Sequence, residues 1–415
     1  MRKFDLIVVG AGISSGSLVY NLLKLGFKGS ILVVDRGDKI ASGPTAFSAG
    51  GFRNLWTTDI NQKLCSYSIK LLKNFSEEMG VGCAFQGSGY LFTYYQKAWD
   101  QLPLAFDQWK TNGVNFEILQ PNDIERKIPG LLCGVDHIDT EIVEALGFEP
   151  IVGGVFGNDC GSFDPSQAAV GYFERALNDY SNPPTIELNT EVLSISVENG
   201  VATGVTVKAS GGGEESIRGG IIALCTGPWI NQLLKRSGMG EEDLTPVIAQ
   251  KRMLFVTEFP GFPNVDSRWK DIPLTIIDQG IYFKHESGNL MIGKARKNEP
   301  DSFDTSFEQD YYINEVNLPM QERIPSASSC KLKSGWGGLY DTNSLDHNAI
   351  VGWHDNYKNL LLQVGYSGHG AMESPAVGQC LAELILFGSY QTIDCSPLRW
   401  SRFREGKLVK ETIVI

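Results

Sequence analysis

The N-terminal stretch FDLIVVGAGISSG places a glycine-rich turn directly after a buried strand. Phe4–Val9 is a continuous apolar run, as in a parallel strand that is covered on both faces. Apolar residues then recur with helical spacing at Leu18, Val19, Leu22, Leu23 and Leu25, and Gly26 stands where a glycine ends a helix. Ile31–Val34 is a second buried strand, followed by Asp35. Strand, glycine turn, helix and strand in this order predict a βαβ unit that binds a dinucleotide.

The glycine turn suits a pyrophosphate, although it departs from the usual pattern at one position. Gly10 permits a tight turn, and Gly12 lets the backbone approach the pyrophosphate at the N-terminus of a helix beginning near Ser14. Ser15 occupies the third glycine position, where a small residue is tolerated. Asp35 is placed to accept hydrogen bonds from a ribose and would repel a 2′-phosphate, which disfavours NADP. The turn alone leaves NAD and FAD open.

Composition excludes several classes of function. The chain has 415 residues, enough for two domains, and a net charge of −12, which argues against a nucleic-acid partner. Its eight cysteines contain no CxxC pair and its five histidines show no ligand spacing, so we expect reduced thiols and no metal site. No apolar run reaches the ~18 residues of a membrane span. Because the first strand begins at Phe4, there is no room for a signal peptide before it, and we expect a cytoplasmic protein.

Further along the chain, two kinds of segment alternate. Apolar patterns predict helices at 166–178 and 374–387, the second with Pro375 in its first turn, and strands at 185–196, 201–208, 220–225 and 359–364. Residues 86–150 and 230–335 are richer in aromatic and alternating patterns, which indicate an antiparallel sheet with flanking helices. We therefore predict an α/β protein. A Rossmann-like domain (1–85, 151–229 and 336–395) is interrupted by a discontinuous α+β substrate domain (86–150 and 230–335), and a solvated or docked tail follows (396–415).

A glycine-rich segment near the C-terminus distinguishes between NAD and FAD as the cofactor. GYSGHGAMESPAVG at 365–378 resembles the C-terminal flavin motif of the D-amino-acid oxidase superfamily, which includes glycine oxidase, sarcosine oxidase and dimethylglycine dehydrogenase. Other resemblances to that superfamily follow the same order along the chain: TAFSAGGFR at 45–53, DP at 164–165, TEV at 190–192, CTGPW at 225–229, and 336–352. The resemblance spans nearly the whole chain and implies FAD as the cofactor.

The physical chemistry of a flavin agrees with this resemblance. A flavin gains negative charge when it accepts a hydride, and the backbone N–H groups of 368–372, at the positive end of a helix, would stabilise that charge. The expected cofactor-binding residues are Gly10, Gly12, Ile13, Ser14, Ser15, Asp35, Arg36, Thr45, Ser48, Ala49, Gly50, Gly51, Val192, Thr226, Gly227, Trp229, Gly338, Gly365, Tyr366, Ser367, Gly368, His369, Gly370, Ala371 and Met372.

The resemblance also predicts how FAD is held. Dimethylglycine dehydrogenase-like enzymes attach FAD through a histidine where this chain has Phe47, and monomeric sarcosine oxidases through a cysteine where it has Gly338. Neither residue can form the linkage, so we expect non-covalent FAD.

By resemblance, the reaction is hydride transfer from a carbon beside an amine to flavin N5, on a small amino acid or N-methyl amino acid such as sarcosine, glycine, proline or a D-amino acid. The candidate catalytic residues are Arg53, Tyr282, Tyr340 and His369; for His369 we expect the backbone, more than the imidazole, to act. A cation should bind the substrate carboxylate, and Arg252, Lys294, Arg296 and Lys333 are candidates that the sequence does not rank.

Departures from the sarcosine oxidases bear on the electron acceptor. Met291 and Met372 stand where those enzymes have lysines, and Ala295 where they have a histidine. Fewer cations near the flavin favour a dehydrogenase over an oxidase. The acceptor remains open between oxygen, a quinone and a protein, and the chain could be an oligomer or a subunit of a larger dehydrogenase. Two alternatives also remain: a non-catalytic flavoprotein subunit or assembly factor, and a 2-hydroxy-acid or glycerol-phosphate oxidoreductase.

Overall fold

A parallel sheet forms around the N-terminal strand in the computed structural model, which describes residues 1–411 and 413, apart from the side chain of Gln279. The strands of this first sheet lie in the order β17 (Ile350–Trp353), β18 (Leu360–Val364), β11 (Glu214–Leu224), β1 (Lys3–Val9), β2 (Ile31–Val34) and β8 (Thr185–Glu187). Neighbouring strands are parallel except β17, which runs antiparallel to β18. Two further strands, β9 (Thr190–Glu198) and β10 (Val201–Ala209), extend the sheet antiparallel from β11.

The predicted βαβ unit is present. Helix α1 (Ile13–Lys24) follows the glycine turn, and Gly26 adopts the positive φ of +95° expected after a helix end. The predicted strand at 185–196 is wrong as a single element, because it divides into β8 and β9. Asn189 between them has a left-handed φ of +52°, so β8 pairs with β2 whereas β9 turns to pair with β10.

A second, mainly antiparallel sheet lies beside the first. Its strand order is β16 (Leu332–Asn343), β12 (Val247–Thr257), β15 (Asn289–Lys294), β14 (Ile281–Glu286), β13 (Leu274–Ile277), β4 (Tyr90–Tyr94), β6 (Gly153–Gly157) and β5 (Phe116–Leu119). Of its pairs, β13 and β4 are parallel. A short ribbon joins β3 (Gly51–Phe52) to β7 (Gly161–Ser162). The predicted boundaries after 150 and 335 differ from the sheet membership, because β6 and β16 hydrogen-bond to this second sheet.

The other helices cover the two sheets. They are α2 (Asp59–Lys73), α3 (Phe75–Met79), α4 (Gln96–Trp99), α5 (Pro103–Thr111), α6 (Pro121–Lys127), α7 (Thr140–Leu146), α8 (Pro165–Asn178), α9 (Ile230–Arg236), α10 (Gln309–Tyr311), a π-helix (Tyr312–Asn317), α11 (Leu318–Arg323) and α12 (Gly370–Phe387). Helix α12 begins four residues earlier than predicted, so Pro375 lies inside it and not in its first turn. Within the described part of the chain, no helix is long and apolar enough to cross a membrane.

The C-terminal segment is docked on the first sheet and α2. Arg402, fully buried, pairs with the buried carboxylate of Asp346 at 2.8 Å, and Asn348 donates to the carbonyl of Val409. The carboxylate of Glu411 accepts a hydrogen bond from the backbone N–H of Thr58 at 3.0 Å, at the start of α2. Of the predicted tail at 396–415, Thr412, Val414 and Ile415 lie outside the described residues.

The α/β class, with a parallel Rossmann-like sheet and an antiparallel second sheet, is confirmed. All eight cysteines are free thiols. The apolar faces of the first sheet pack on α1 and α12 on one side and on β9, β10 and α9 on the other, which fixes the loops at the carboxyl ends of β1, β2 and β11.

Candidate functional site

A cavity of about 830 Å³ lies between the two sheets. It begins at the carboxyl ends of β1 and β2, where ligands of open parallel sheets bind, and it ends at β12, β14 and β16 of the second sheet. Many of the predicted cofactor residues line it: Gly10, Gly12, Ile13, Ser14, Asp35, Arg36, Thr45, Ser48, Ala49, Val192, Thr226, Gly227, Trp229, Gly338, Tyr366, Gly368, Gly370 and Ala371. Residues that are distant in sequence therefore line the same cavity.

The glycine turn leaves no room for side chains. Gly10 has a φ of +108°, and a Cβ there would lie 2.4 Å from the carbonyl oxygen of Cys225. A Cβ on Gly12 would lie 3.0 Å from the hydroxyl of Thr45. The carboxylate of Asp35 accepts hydrogen bonds from the backbone N–H groups of Ala11 and Gly37, each at 2.6 Å, which fixes it at the cavity wall.

The shifted third glycine has a structural explanation. Ser15 is fully buried and its hydroxyl donates to the carbonyl of Gly12 at 2.9 Å, so it supports the turn from below and does not line the cavity. Gly16 faces α8, where a Cβ would come within 3.3 Å of Ala169 and Tyr172. In the usual motif the third glycine allows close packing of the helix. Here Gly16, one residue later than usual, has this role, and α1 packs closely against α8 at this point.

The glycine-rich loop before α12 is held against β16. Gly368 has a φ of +90°, and a Cβ there would lie 2.3 Å from the ring of Tyr340. Asp341, which was not predicted from the sequence, also lines the cavity, and it accepts a hydrogen bond from the N–H of Gly365 at 2.7 Å. Burial raises the pKa of Asp341 to about 6, although backbone N–H groups of the loop act in the opposite direction. In the sequence, Asp341 could have been found from its position directly after the candidate Tyr340, in the segment DTN.

Two predicted catalytic tyrosines and one arginine lie together at the second-sheet end of the cavity. Tyr282 on β14 and Tyr340 on β16 line it, and burial raises the pKa of each phenol. The guanidinium of Arg252 on β12 lies 4.9 Å from the centre of the Tyr340 ring. Leu254 and Thr305 also line the cavity, whereas the ring of Phe303 stacks on Trp229 with 6.0 Å between centroids. The arrangement offers a cation and two neutral hydroxyls to a ligand.

Arg252 differs from the other candidate cations. Lys294 donates to the carbonyl of Glu315, Arg296 pairs with Glu308, and Lys333 is exposed. Arg252 donates to the carbonyl of Lys251 at 2.9 Å, but its buried Nε has no hydrogen-bond partner among the described residues. The structure therefore favours Arg252 as the cation available to a ligand.

The other two catalytic candidates, Arg53 and His369, are not among the described residues that line the cavity. Arg53 is buried against the ring of Trp56 at 3.4 Å and donates to the carbonyls of Leu55 and Ile413, at 2.8 and 2.6 Å. The ring of His369 packs against Trp56 with 4.2 Å between centroids. Burial, followed by the charge of Arg53, places the pKa of His369 well below its usual value, so the imidazole is neutral.

The remaining predicted cofactor residues support the cavity from behind. They are Gly50, Gly51, Gly365, Ser367 and Met372, which are not among the described lining residues. Gly50 packs closely against another segment: a Cβ there would lie 2.0 Å from the carbonyl of Phe163. Other lining residues were not predicted from the sequence, among them Ser42, Gly43, Glu191 and Gln363. Glu191 lies inside the TEV segment on β9, and Gln363 lies on the predicted strand β18.

The lining residues fit FAD. The glycine turn and Asp35 suit the ADP half, and the N-terminus of α12, with Gly370 and Ala371 in the cavity wall, suits the redox half. Among the described lining residues there is no histidine, and Cys225 is the one cysteine, beside Gly10 at the nucleotide end.

Comparison with known proteins points to the same cofactor. The family model for FAD-dependent oxidoreductases (DAO) matches residues 5–384. FAD-dependent oxidoreductase domain-containing protein 1 from Xenopus laevis is 28% identical over 448 residues, covering 100% of this chain and 85% of that protein. The β subunit of sarcosine oxidase from Rhodobacter capsulatus is 21% identical, over 99% of this chain and 91% of that subunit. The crystal structure of L-proline dehydrogenase from P. horikoshii shares the fold with a TM-score of 0.82 and 23% identity, over 98% of this chain and 100% of that one.

Proposed function

The chain belongs to the D-amino-acid oxidase superfamily of FAD-dependent oxidoreductases, and on that premise we propose that it oxidises the C–N bond of a small amino acid or N-methyl amino acid. The observation that carries the proposal is the second-sheet end of the cavity, where Arg252, Tyr282 and Tyr340 converge. A carboxylate and an amine on one small molecule match a cation and neutral hydroxyls at this spacing.

In this proposal the residues bind and orient the substrate. Bound FAD supplies the hydride acceptor. The guanidinium of Arg252 binds the carboxylate, and the hydroxyls of Tyr282 and Tyr340, which stay protonated because burial raises their pKa, hold the amine end. The buried side chain of Leu254 excludes water from the reacting carbon. Correct positioning of this kind contributes on the order of 7–11 kcal/mol to lowering the barrier at best.

We also propose that FAD is bound without a covalent link. A Cβ on Gly338 would lie 2.8 Å from the Cβ of Phe47, so the two positions that carry the linkage in relatives face each other across the wall without a nucleophile. Cys225 is at the other end of the cavity, and burial raises the pKa of its thiol to about 12, which leaves it protonated.

The charged residues of the second sheet favour a dehydrogenase over an oxidase. Met291 is buried on β15, and nearby lysines are occupied: Lys251 pairs with Asp304 at 2.7 Å and Lys294 with Glu315 at 3.3 Å. A free cation beside the reduced flavin would favour its reaction with oxygen, and in this proposal Arg252 is paired with the substrate carboxylate. Reduced enzyme should therefore reoxidise slowly in air, and reoxidation within one catalytic turnover would contradict the dehydrogenase assignment.

Anaerobic reduction of the bound flavin tests the proposed function. Sarcosine, glycine, proline and D-alanine are added in turn to the holoprotein, and bleaching of the flavin absorbance by one of them supports an amino-acid oxidoreductase. Bleaching by a 2-hydroxy acid or glycerol phosphate alone would assign the other substrate class. No response to the whole panel would favour a flavoprotein subunit without turnover of its own.

Substitution of Arg252 tests its role in binding the carboxylate. Arg252→Met removes a charge-assisted hydrogen bond worth about 2 kcal/mol, so KM for the amino acid should rise about 30-fold. Lys333→Met removes an exposed cation of the same sheet and should leave KM unchanged. An unchanged KM in Arg252→Met would show that another group binds the carboxylate.

A further inference from the structure

A buried polar compartment lies behind the glycine-rich loop, on the side of α12 and α2. In it, several buried side-chain atoms have no hydrogen-bond partner among the described residues. They are Nδ1 of His369, Oε1 of Glu373, Nδ1 of His347, Oδ1 of Asn61 and Oγ1 of Thr342. Unsatisfied polar atoms in protein interiors are ordinarily satisfied by internal water. His369 and Glu373 are therefore buried with one polar atom each that has no partner among the described residues.

Hydrogen bonds connect the parts of the compartment. The amide of Asn61 on α2 donates to Asn348 at 2.6 Å, and Asn348 follows His347 in the chain. The carbonyl of Asn348 accepts from Asn343, whose own N–H donates to Ser367 in the glycine-rich loop at 2.9 Å. The loop, the end of β16 and α2 thus enclose one polar region.

Glu373 is a buried acid of this region whose side chain makes no ion pair among the described residues. Its side chain is 1% exposed, and its backbone N–H donates to the carbonyl of His369 at 3.0 Å, which places it in the first turn of α12. Gly370 and Ala371 of the same turn line the cavity. A carboxyl group is therefore enclosed about one helical turn behind the part of the wall that fits the redox half of FAD.

The groups around Glu373 decide its charge. Burial raises its pKa to about 8, the carboxylates of Glu411 and Asp341 act in the same direction, and the guanidinium of Arg53 opposes them. The other titratable groups facing it are neutral: the imidazole of His369, the phenol of Tyr366, and the buried thiols of Cys65 and Cys395. At neutral pH, Glu373 is thus a protonated, uncharged acid.

We propose that Glu373 is a redox-linked proton acceptor: when it is ionised, it takes up one proton from solvent as the bound flavin is reduced. The inference rests on FAD binding in the proposed function but not on the identity of the substrate. Reduction by hydride adds two electrons and one proton to the flavin. The added negative charge near the start of α12 raises the proton affinity of Glu373, so a second proton enters there and the charge of the site is conserved.

The test is the midpoint potential of the flavin in the holoprotein, measured by spectroelectrochemistry between pH 7 and pH 10. In the unaltered protein, the slope of potential against pH should double above about pH 8, because two protons then accompany two electrons. Glu373→Gln should retain the single slope throughout. Glu383→Gln, which removes another buried acid of α12, should still show the doubled slope.

Two results would overturn the proposal: a constant slope in the unaltered protein, or a doubled slope that persists in Glu373→Gln. Infrared difference spectra of the unaltered protein provide a second measurement that does not depend on a variant folding. Above pH 8, reduction should produce the carbonyl stretch of a protonated carboxylic acid at the expense of a carboxylate band. Reduction without that band would also overturn the proposal. Absence of FAD from the purified protein would instead contradict the proposed function.

Discussion

Gly12 and Ser15, at the scale of single residues, occupy the same turn but differ in what they contact. A valine at position 12 would place branched atoms beyond a Cβ that already lies 3.0 Å from Thr45, in the space for the pyrophosphate. We expect Gly12→Val to abolish FAD binding. Ser15→Gly removes a hydroxyl outside the cavity and should leave FAD affinity unchanged, while lowering stability by about 1 kcal/mol for a glycine in a helix.

The measurement is the FAD content of each purified variant together with titration of the apoprotein with FAD. Loss of FAD from Ser15→Gly would show that the hydroxyl contacts the cofactor, and binding of FAD by Gly12→Val would contradict the geometry of the turn.

The positions of residues in the cavity were predicted best where they depend on neighbouring residues in the sequence. Gly10, Gly12 and Asp35 follow from a strand and its turn, and all three line the cavity. Arg53 shows why other residues could not be placed. Its neighbour in the fold is Ile413, 360 positions away, and no pattern around Arg53 indicates that a carbonyl of the C-terminal segment accepts its hydrogen bond.

Helix α2 shows, at the scale of elements, how the C-terminal segment stabilises the nucleotide half. Thr58, its N-cap, makes no side-chain capping bond, and the carboxylate of Glu411 accepts instead from the N–H groups of Thr57 and Thr58. Burial raises the pKa of Glu411, but hydrogen bonds from Thr57 and Ile413 outweigh burial and the net pKa is lowered. A lowered pKa means that the folded state holds the proton less tightly than the unfolded state.

The stability that Glu411 contributes should therefore be present above its ordinary pKa of 4.5 and be lost as the pH falls through its lower folded value. We expect Glu411→Gln to lower the free energy of unfolding by about 1 kcal/mol at pH 7, and less below pH 4.5. Urea unfolding at both pH values measures this, with Glu174→Gln on the exposed side of α8 as the control. An equal effect at both pH values would exclude a charge-dependent role.

Elements with strong periodicity were predicted within one or two residues, as β2 and α8 show. The errors occurred where tertiary contacts override local signals. Helix α12 begins before Ser374, because Gly368 is held against Tyr340 and the N–H of Glu373 already donates to the carbonyl of His369. Strands β6 and β16 join the second sheet through pairing partners far away in sequence.

At the scale of the whole molecule, the stability of the fold should depend on FAD, because both sheets contribute to the cavity wall. FAD bound in this cavity would contact both sheets and should stabilise the folded chain by linkage, by about 2.7 kcal/mol at a concentration 100 times the Kd. We expect the midpoint of thermal unfolding to rise by a few degrees when FAD is added to the apoprotein.

Acid precipitation of the holoprotein tests whether FAD is bound without a covalent link, and it should leave the yellow colour in the supernatant. Colour retained in the pellet would show a covalent link.

The tryptophans near the cavity give the molecule an optical property. Trp229 forms part of the wall, with the guanidinium of Arg36 4.0 Å from the centre of its ring, and Trp336 donates to the carbonyl of Phe47 beside the same cavity. Tryptophan emission overlaps flavin absorption, so bound FAD should quench both by resonance energy transfer. The intrinsic fluorescence of the protein therefore reports the fraction of molecules that carry the cofactor, without any added dye.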